Sequence, residues 1–116
     1  MRPPSRTVLV VDDDGSIRLL CRLNLELEGW QVLEAASVAE ARAHLAATPV
    51  DVVLLDVHVG TDSGAEFLEE LRRDRPQLKI ALLTGSDRAV EIAGDAVIPK
   101  PFTLEQLTST VAKLAG

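Results

Sequence analysis

A chain of 116 residues has room for one domain with a real core and none for a second. Its 47% apolar and 26% charged residues are a globular balance, and runs such as 8–11 and 52–55 are far too short to cross a bilayer. A net charge of −6, with two Phe, one Trp and no Tyr, excludes the basic, aromatic-studded face that nucleic acids reward. The expectation is a cytoplasmic protein with neither nucleic acid nor membrane as a partner. No charged segment followed by an apolar stretch marks it for secretion. Cys21 has no second cysteine to pair with, and among leucines at helical spacing it reads as a small core residue.

In chain order, residues 1–6 carry two prolines and two arginines and read as a flexible tail, leaving 7–116 as the domain. Residues 8–11 form a short apolar, β-branched run, the pattern of a buried strand. Ile17, Leu20, Cys21 and Leu25 then make a helical stripe that stops before Gly29. Beside it, Leu19, Leu23 and Leu27 make a second stripe, either the flank of a broad buried face or a surface for a partner. A weaker strand covers 31–34. Ser37 and Glu40 have the spacing of a capping box for a helix carrying Val38, Ala41, Leu45 and Ala46. A strand follows at 50–55, a helix at 64–75 ended by Pro76, a strand at 80–83 and a weak one at 96–98. Thr103 and Gln106 form a second box, opening a last helix with Leu104, Leu107, Val111 and Leu114 on one face. Strands alternating with helices imply a parallel sheet covered on both faces, with ligands beyond the carboxyl ends of its strands.

Polar groups stand at those ends. The first strand finishes in Asp12, Asp13 and Asp14, the third in Asp56, the fourth in Thr84, and the fifth in Lys100. One acidic residue closing a strand is ordinary, and Asp14 reads simply as a helix N-cap. A gathered set is not ordinary. Two carboxylates ~4 Å apart repel by roughly 4 kcal/mol at an effective dielectric of about 20. Lysine offsets one charge, and a hard divalent cation, magnesium above all, offsets two while accepting oxygen ligands. With a cation present Asp56 can attack phosphorus, while Lys100, the Thr84 hydroxyl and backbone N–H groups neutralise phosphoryl oxygens.

The sequence Val-Leu-Val-Val-Asp-Asp-Asp, Asp56 after Val-Val-Leu-Leu, Leu-Leu-Thr-Gly and Lys-Pro-Phe resemble the receiver domain of response regulators over residues 7–115. The resemblance implies a flavodoxin-like α/β fold, doubly wound, with five parallel strands in the order 2-1-3-4-5. It implies a signalling domain rather than an enzyme, taking a phosphoryl group onto Asp56 from a histidine kinase, a phosphotransfer protein or small phosphodonors. It makes Asp12 and Asp13 the acidic pair, with Asp13 and Asp56 touching Mg2+ directly and His58 adding its main-chain carbonyl. Thr84 and Lys100 become the switch hydroxyl and the phosphate-contacting lysine, and an in-line water resets the state. Kinases dock on the first helix in this family, which makes Arg18, Leu19 and Arg22 candidate contacts. The output is a downstream protein partner or a homodimer.

This chain departs from the family's pattern at three places. Val59-Gly60 stand where Met-Pro is usual, although Gly64 keeps the loop's glycine. His58 occupies a place facing the phosphodonor or the attacking water. Thr84 and Lys100 are 16 positions apart, which shortens the fourth helix, at 87–93, and Val97 replaces the family's aromatic switch. Output would then run through 85–95 or another surface. Two other functions fit less well. A module that is never phosphorylated has no use for the repulsive cluster. A haloacid-dehalogenase-type phosphatase matches Asp12-x-Asp14, Thr84 and Lys100, but needs a late acidic pair where only Glu105 follows Lys100.

Overall fold

The computed structural model describes residues 6–84 and 95–116. The expected tail, save Arg6, and the expected short helix at 87–93 lie outside the described residues, as does most of the 85–95 segment. Five parallel strands form the sheet: β1 (Thr7–Val11), β2 (Gln31–Ala35), β3 (Val52–Asp56), β6 (Lys79–Thr84) and β7 (Ala96–Pro99). Their order is β2-β1-β3-β6-β7, which is the expected 2-1-3-4-5 once a small hairpin is set aside. That hairpin, β4 (His58–Val59) and β5 (Asp62–Ser63), is antiparallel and was not anticipated. The helices are α1 (Gly15–Leu27), α2 (Val38–Ala47), α3 (Gly64–Asp74) and α4 (Leu104–Ala115).

Period-2 alternation along the strands divides the core in two. Leu9, Val11, Val53, Leu55, Ile80 and Leu82 face one side, where they pack with Val38, Ala41 and Leu45 of α2 and Phe67, Leu68 and Leu71 of α3. Val8, Val10, Val52, Leu54, Ala81 and Leu83 face the other, against Cys21 and Leu25 of α1 and Leu107 and Val111 of α4. Both faces are covered, so the strands read as unbroken apolar runs.

Helix starts follow local chemistry. Asp14 caps α1 by accepting from the N–H of Ser16 at 2.9 Å. Thr103 and Gln106 make a complete reciprocal box on α4. Ser37 accepts from Glu40 N–H, but the Glu40 carboxylate takes the N–H of Ala36, so only half of that expected box is formed. Ser63 caps α3 by accepting from the N–H of Glu66, a contact that the Ser-x-x-Glu spacing signals.

Two expectations for α1 and α2 need correction. Leu20 and Ala46 are exposed rather than core. The stripe of Leu19, Leu23 and Leu27 is not the flank of a buried face, being 45%, 50% and 84% exposed. Ile17, Cys21 and Leu25 form the narrow strip that meets the sheet. A residue two positions along an α-helix lies about 200° round it, which carries the 19-23-27 stripe to the outer side.

Candidate functional site

Parallel pairing brings the strand ends to one height. Val11 lies opposite Leu55, Asp56 opposite Leu83, and Thr84 opposite Pro99, so Asp12, Asp56, Thr84 and Lys100 end up on one rim. Asp12 extends the ladder by donating its N–H to Ala35 at 3.1 Å, and Lys100 does so by donating its N–H to the Thr84 carbonyl at 2.8 Å. Lys100 is joined to Pro101 by a cis peptide.

Asp12 is 1% exposed and fully engaged. One carboxylate oxygen accepts from Asp14 N–H at 2.9 Å, and the other from Lys100 Nζ at 3.0 Å. Asp56 is half-buried, 3.4 Å from Lys100 Nζ through one oxygen, and accepts from His58 N–H at 3.4 Å through the other. Asp13 is exposed. Oxygens of Asp12, Asp13 and Asp56 lie within 4.8 Å of one another. The Thr84 side chain is buried at the end of β6, and His58 is exposed at the start of the hairpin.

At 4.8 Å, each pair of carboxylates repels by roughly 3 kcal/mol at an effective dielectric of about 20. Burial first, then the charge of Asp12, pushes Asp56 above the usual carboxylate range, against the pull of Lys100 and the His58 N–H. Burial acts to lower Lys100, but its bond to Asp12 and the charges of Asp12 and Asp56 outweigh that and raise it. Lys100 therefore stays charged, yet one ammonium among three carboxylates leaves an excess of negative charge. An all-oxygen donor set of this kind is suited to a hard divalent cation. On the α1 face of the sheet the Cys21 thiol is pushed up to about 12, by burial and then by Asp12, and is an inert, neutral packing group.

The hairpin after Asp56 takes its shape from two glycines. Gly60 has φ +61° and no other described residue of the turn has positive φ, the sign pattern of a type II′ turn. At Gly64 a Cβ would collide with the backbone carbonyls of Asp56 and Val57, and its N–H donates to the Val57 carbonyl at 2.7 Å. Val59 is buried in the core and anchors the loop. The Gly for Pro exchange thus accompanies a two-residue turn that closes an antiparallel hairpin.

Sequence reasoning missed Arg18 and Glu34 as neighbours of the rim. Arg18 donates to the Asp12 carbonyl at 2.7 Å and to Glu34 at 3.2 Å, and Arg22 pairs with Glu34 at 2.8 Å. No local pattern links residues on a helix and a separate strand, so only the fold reveals this network.

Similarity to known proteins places this fold and rim in a family of signalling modules. The chain belongs to the response regulator receiver domain family, whose model matches residues 8–112. It is 37% identical over 108 residues to the probable transcriptional regulatory protein TcrX of Mycobacterium tuberculosis, covering 87% of this chain and 46% of that one. It is 31% identical to the phosphate regulon transcriptional regulatory protein PhoB of Pseudomonas aeruginosa, covering 90% and 49%. The chain thus spans about half the length of these curated relatives. Among solved structures, the response regulator TrrA of Thermotoga maritima, in complex with Mg(2+)-BeF, superposes with a TM-score of 0.86 at 33% identity, covering 94% and 98%. A CheY-like receiver domain protein of Methanospirillum hungatei gives 0.88 at 29%, covering 96% and 94%. A signalling family of this kind replaces the phosphatase alternative. Among the described residues, no helix is long and apolar enough to cross a membrane.

Proposed function

We propose that the chain is the phosphoacceptor of a two-component or phosphorelay pathway, taking a phosphoryl group onto Asp56 from a histidine kinase or phosphotransfer protein. The observation that carries this is the acidic cluster of Asp12, Asp13 and Asp56 facing Lys100 at the carboxyl ends of the strands. Asp13, Asp56 and the His58 main-chain carbonyl would hold Mg2+, with Asp12 alongside, and the Mg(2+)-BeF complex of TrrA supports a cation there. When bound, the ion would neutralise the cluster and share the charge of the transferred phosphoryl oxygens.

The chain's own groups supply the rest. An Asp56 oxygen forms the new bond to phosphorus as the P–N bond of phosphohistidine breaks, leaving the electron pair on the imidazole. Lys100 is held charged within reach of Asp56 and pairs with a phosphoryl oxygen. The Thr84 hydroxyl takes another, which couples phosphorylation to the end of β6. Water attack at phosphorus breaks the bond to the Asp56 oxygen, releases inorganic phosphate and returns Asp56 to a free carboxylate. Leu19, Leu23 and Leu27 offer an apolar face for the phosphodonor protein, whereas Arg18 and Arg22 are turned toward Glu34. Output goes to a protein partner or a second copy, in keeping with the acidic net charge.

Intact-mass measurement with acetyl phosphate tests the reading. Wild type should gain one phosphoryl group in magnesium and none in excess chelator, and Asp56→Asn should gain none. A folded wild type that takes up nothing would favour a module that works without phosphorylation.

A further inference from the structure

The two acidic residues that close β1 share one peptide plane, and α1 supplies the group that holds it. Arg18 donates to the Asp12 carbonyl at 2.7 Å, the oxygen of the peptide joining Asp12 to Asp13. Its guanidinium is held in turn by Glu34 of β2 at 3.2 Å, and the Arg18 side chain is only 20% exposed. The Asp12 side chain is fixed from two further directions, by Asp14 N–H and by Lys100. Asp13 is exposed, and its aim depends on the backbone that carries it.

We infer that Arg18 is a positioning residue for the cation site: it fixes the Asp12–Asp13 peptide plane and thereby aims both carboxylates. The inference rests on the reading of this rim as a magnesium-assisted phosphoacceptor. Its physical basis is that groups behind metal ligands set ligand orientation, and losing one typically costs on the order of 10–100-fold in metal affinity. A planar guanidinium holds its donors in a rigid fork and so fixes the angle between the carbonyl and the carboxylate it reaches, whereas the donors of an ammonium rotate.

Charge alone makes the opposite prediction. A cation beside the cluster opposes a second cation, so deleting Arg18 would tighten magnesium binding if charge were its only influence. Glu34 offsets that repulsion by pairing with both Arg18 and Arg22. Positioning and charge therefore differ in sign.

Calorimetric titration of magnesium into the intact, unphosphorylated protein separates them. Arg18→Ala should bind about tenfold more weakly. Arg18→Lys, which keeps the charge and most of the packing, should also weaken binding, and serves alone if the alanine variant does not fold. Arg22→Ala, which loses Glu34 but not Asp12, should stay within about twofold of wild type on the same reasoning. Equal or tighter binding by Arg18→Ala or Arg18→Lys would overturn the inference, including the case where only their urea midpoints fall. If wild type itself bound no magnesium, the cation reading would fail and the inference with it. Normal wild-type binding with unaffected variants would sink the inference alone.

Discussion

The two edges of the sheet use the same residue type in opposite ways. At the amino ends of the strands, Asp51 accepts from Thr7 N–H at 2.8 Å, and Asp95 accepts from Ile80 N–H and Arg72, each at 2.7 Å. Burial acts to raise Asp95, but Arg72 and the Ile80 N–H outweigh it and hold its carboxyl below the usual range. At the carboxyl ends, burial and then the charge of Asp12 push Asp56 up, and a single lysine does not restore it. Matched partners make an aspartate a fastener. Burial and mismatched charge make it a poised group, whose balance a bound cation would complete on the proposed reading. On the proposed function, stability and reactivity are thereby kept at opposite ends of the same strands.

The largest expected effect separates the edges by function: Asp56→Asn should abolish phosphoryl uptake, and Asp95→Asn should leave it intact, by intact mass. Next is Gly64→Ala, which forces a methyl against the carbonyls of Asp56 and Val57 and should cost about 3 kcal/mol in urea unfolding. A neutral result there would mean that the rim's backbone is looser than its contacts indicate. Asp95→Asn should cost about 1 kcal/mol at neutral pH, since it weakens two charge-assisted bonds that solvent already screens at this exposed residue. The folded carboxyl of Asp95 is depressed, so its contribution is present above the unfolded value of about 3.9 and is lost as pH falls through the folded one. The variant should lack that part of the acid-side decline.

The smallest effect has the opposite sign. Asp56 is raised in the folded protein, so its ionisation costs stability as pH rises from about 3.9 through the folded value, and the penalty is complete above that. Asp56→Asn without magnesium should therefore be more stable than wild type at neutral pH, with a higher Tm. Destabilisation instead would show that Lys100 already balances the cluster.

Much of this was legible in the sequence because it is periodic or terminal. Apolar runs such as 8–11 and 52–55 marked strands, and the polar residues that end them marked the rim. The Asp12, Asp56, Thr84 and Lys100 positions needed only strand ends and parallel order to be gathered. Long-range pairings were not legible: Arg18 with Glu34, or Arg72 with Asp95, depend on which elements become neighbours. The outward face of α1 misled because leucines at positions 19, 23 and 27 have the same spacing whether they point in or out. The hairpin at 58–63 is not legible in the sequence because strands of two residues carry no periodicity.

The most direct test of the contrast is a carboxyl-carbon NMR titration of Asp56 and Asp95, with and without magnesium. Asp56 should titrate above the ordinary aspartate range without the ion and fall well below its ion-free value with it, while Asp95 stays depressed in both. An Asp56 that titrates normally and ignores magnesium would contradict the account, because the carboxyl edge would then be no more poised than the amino edge.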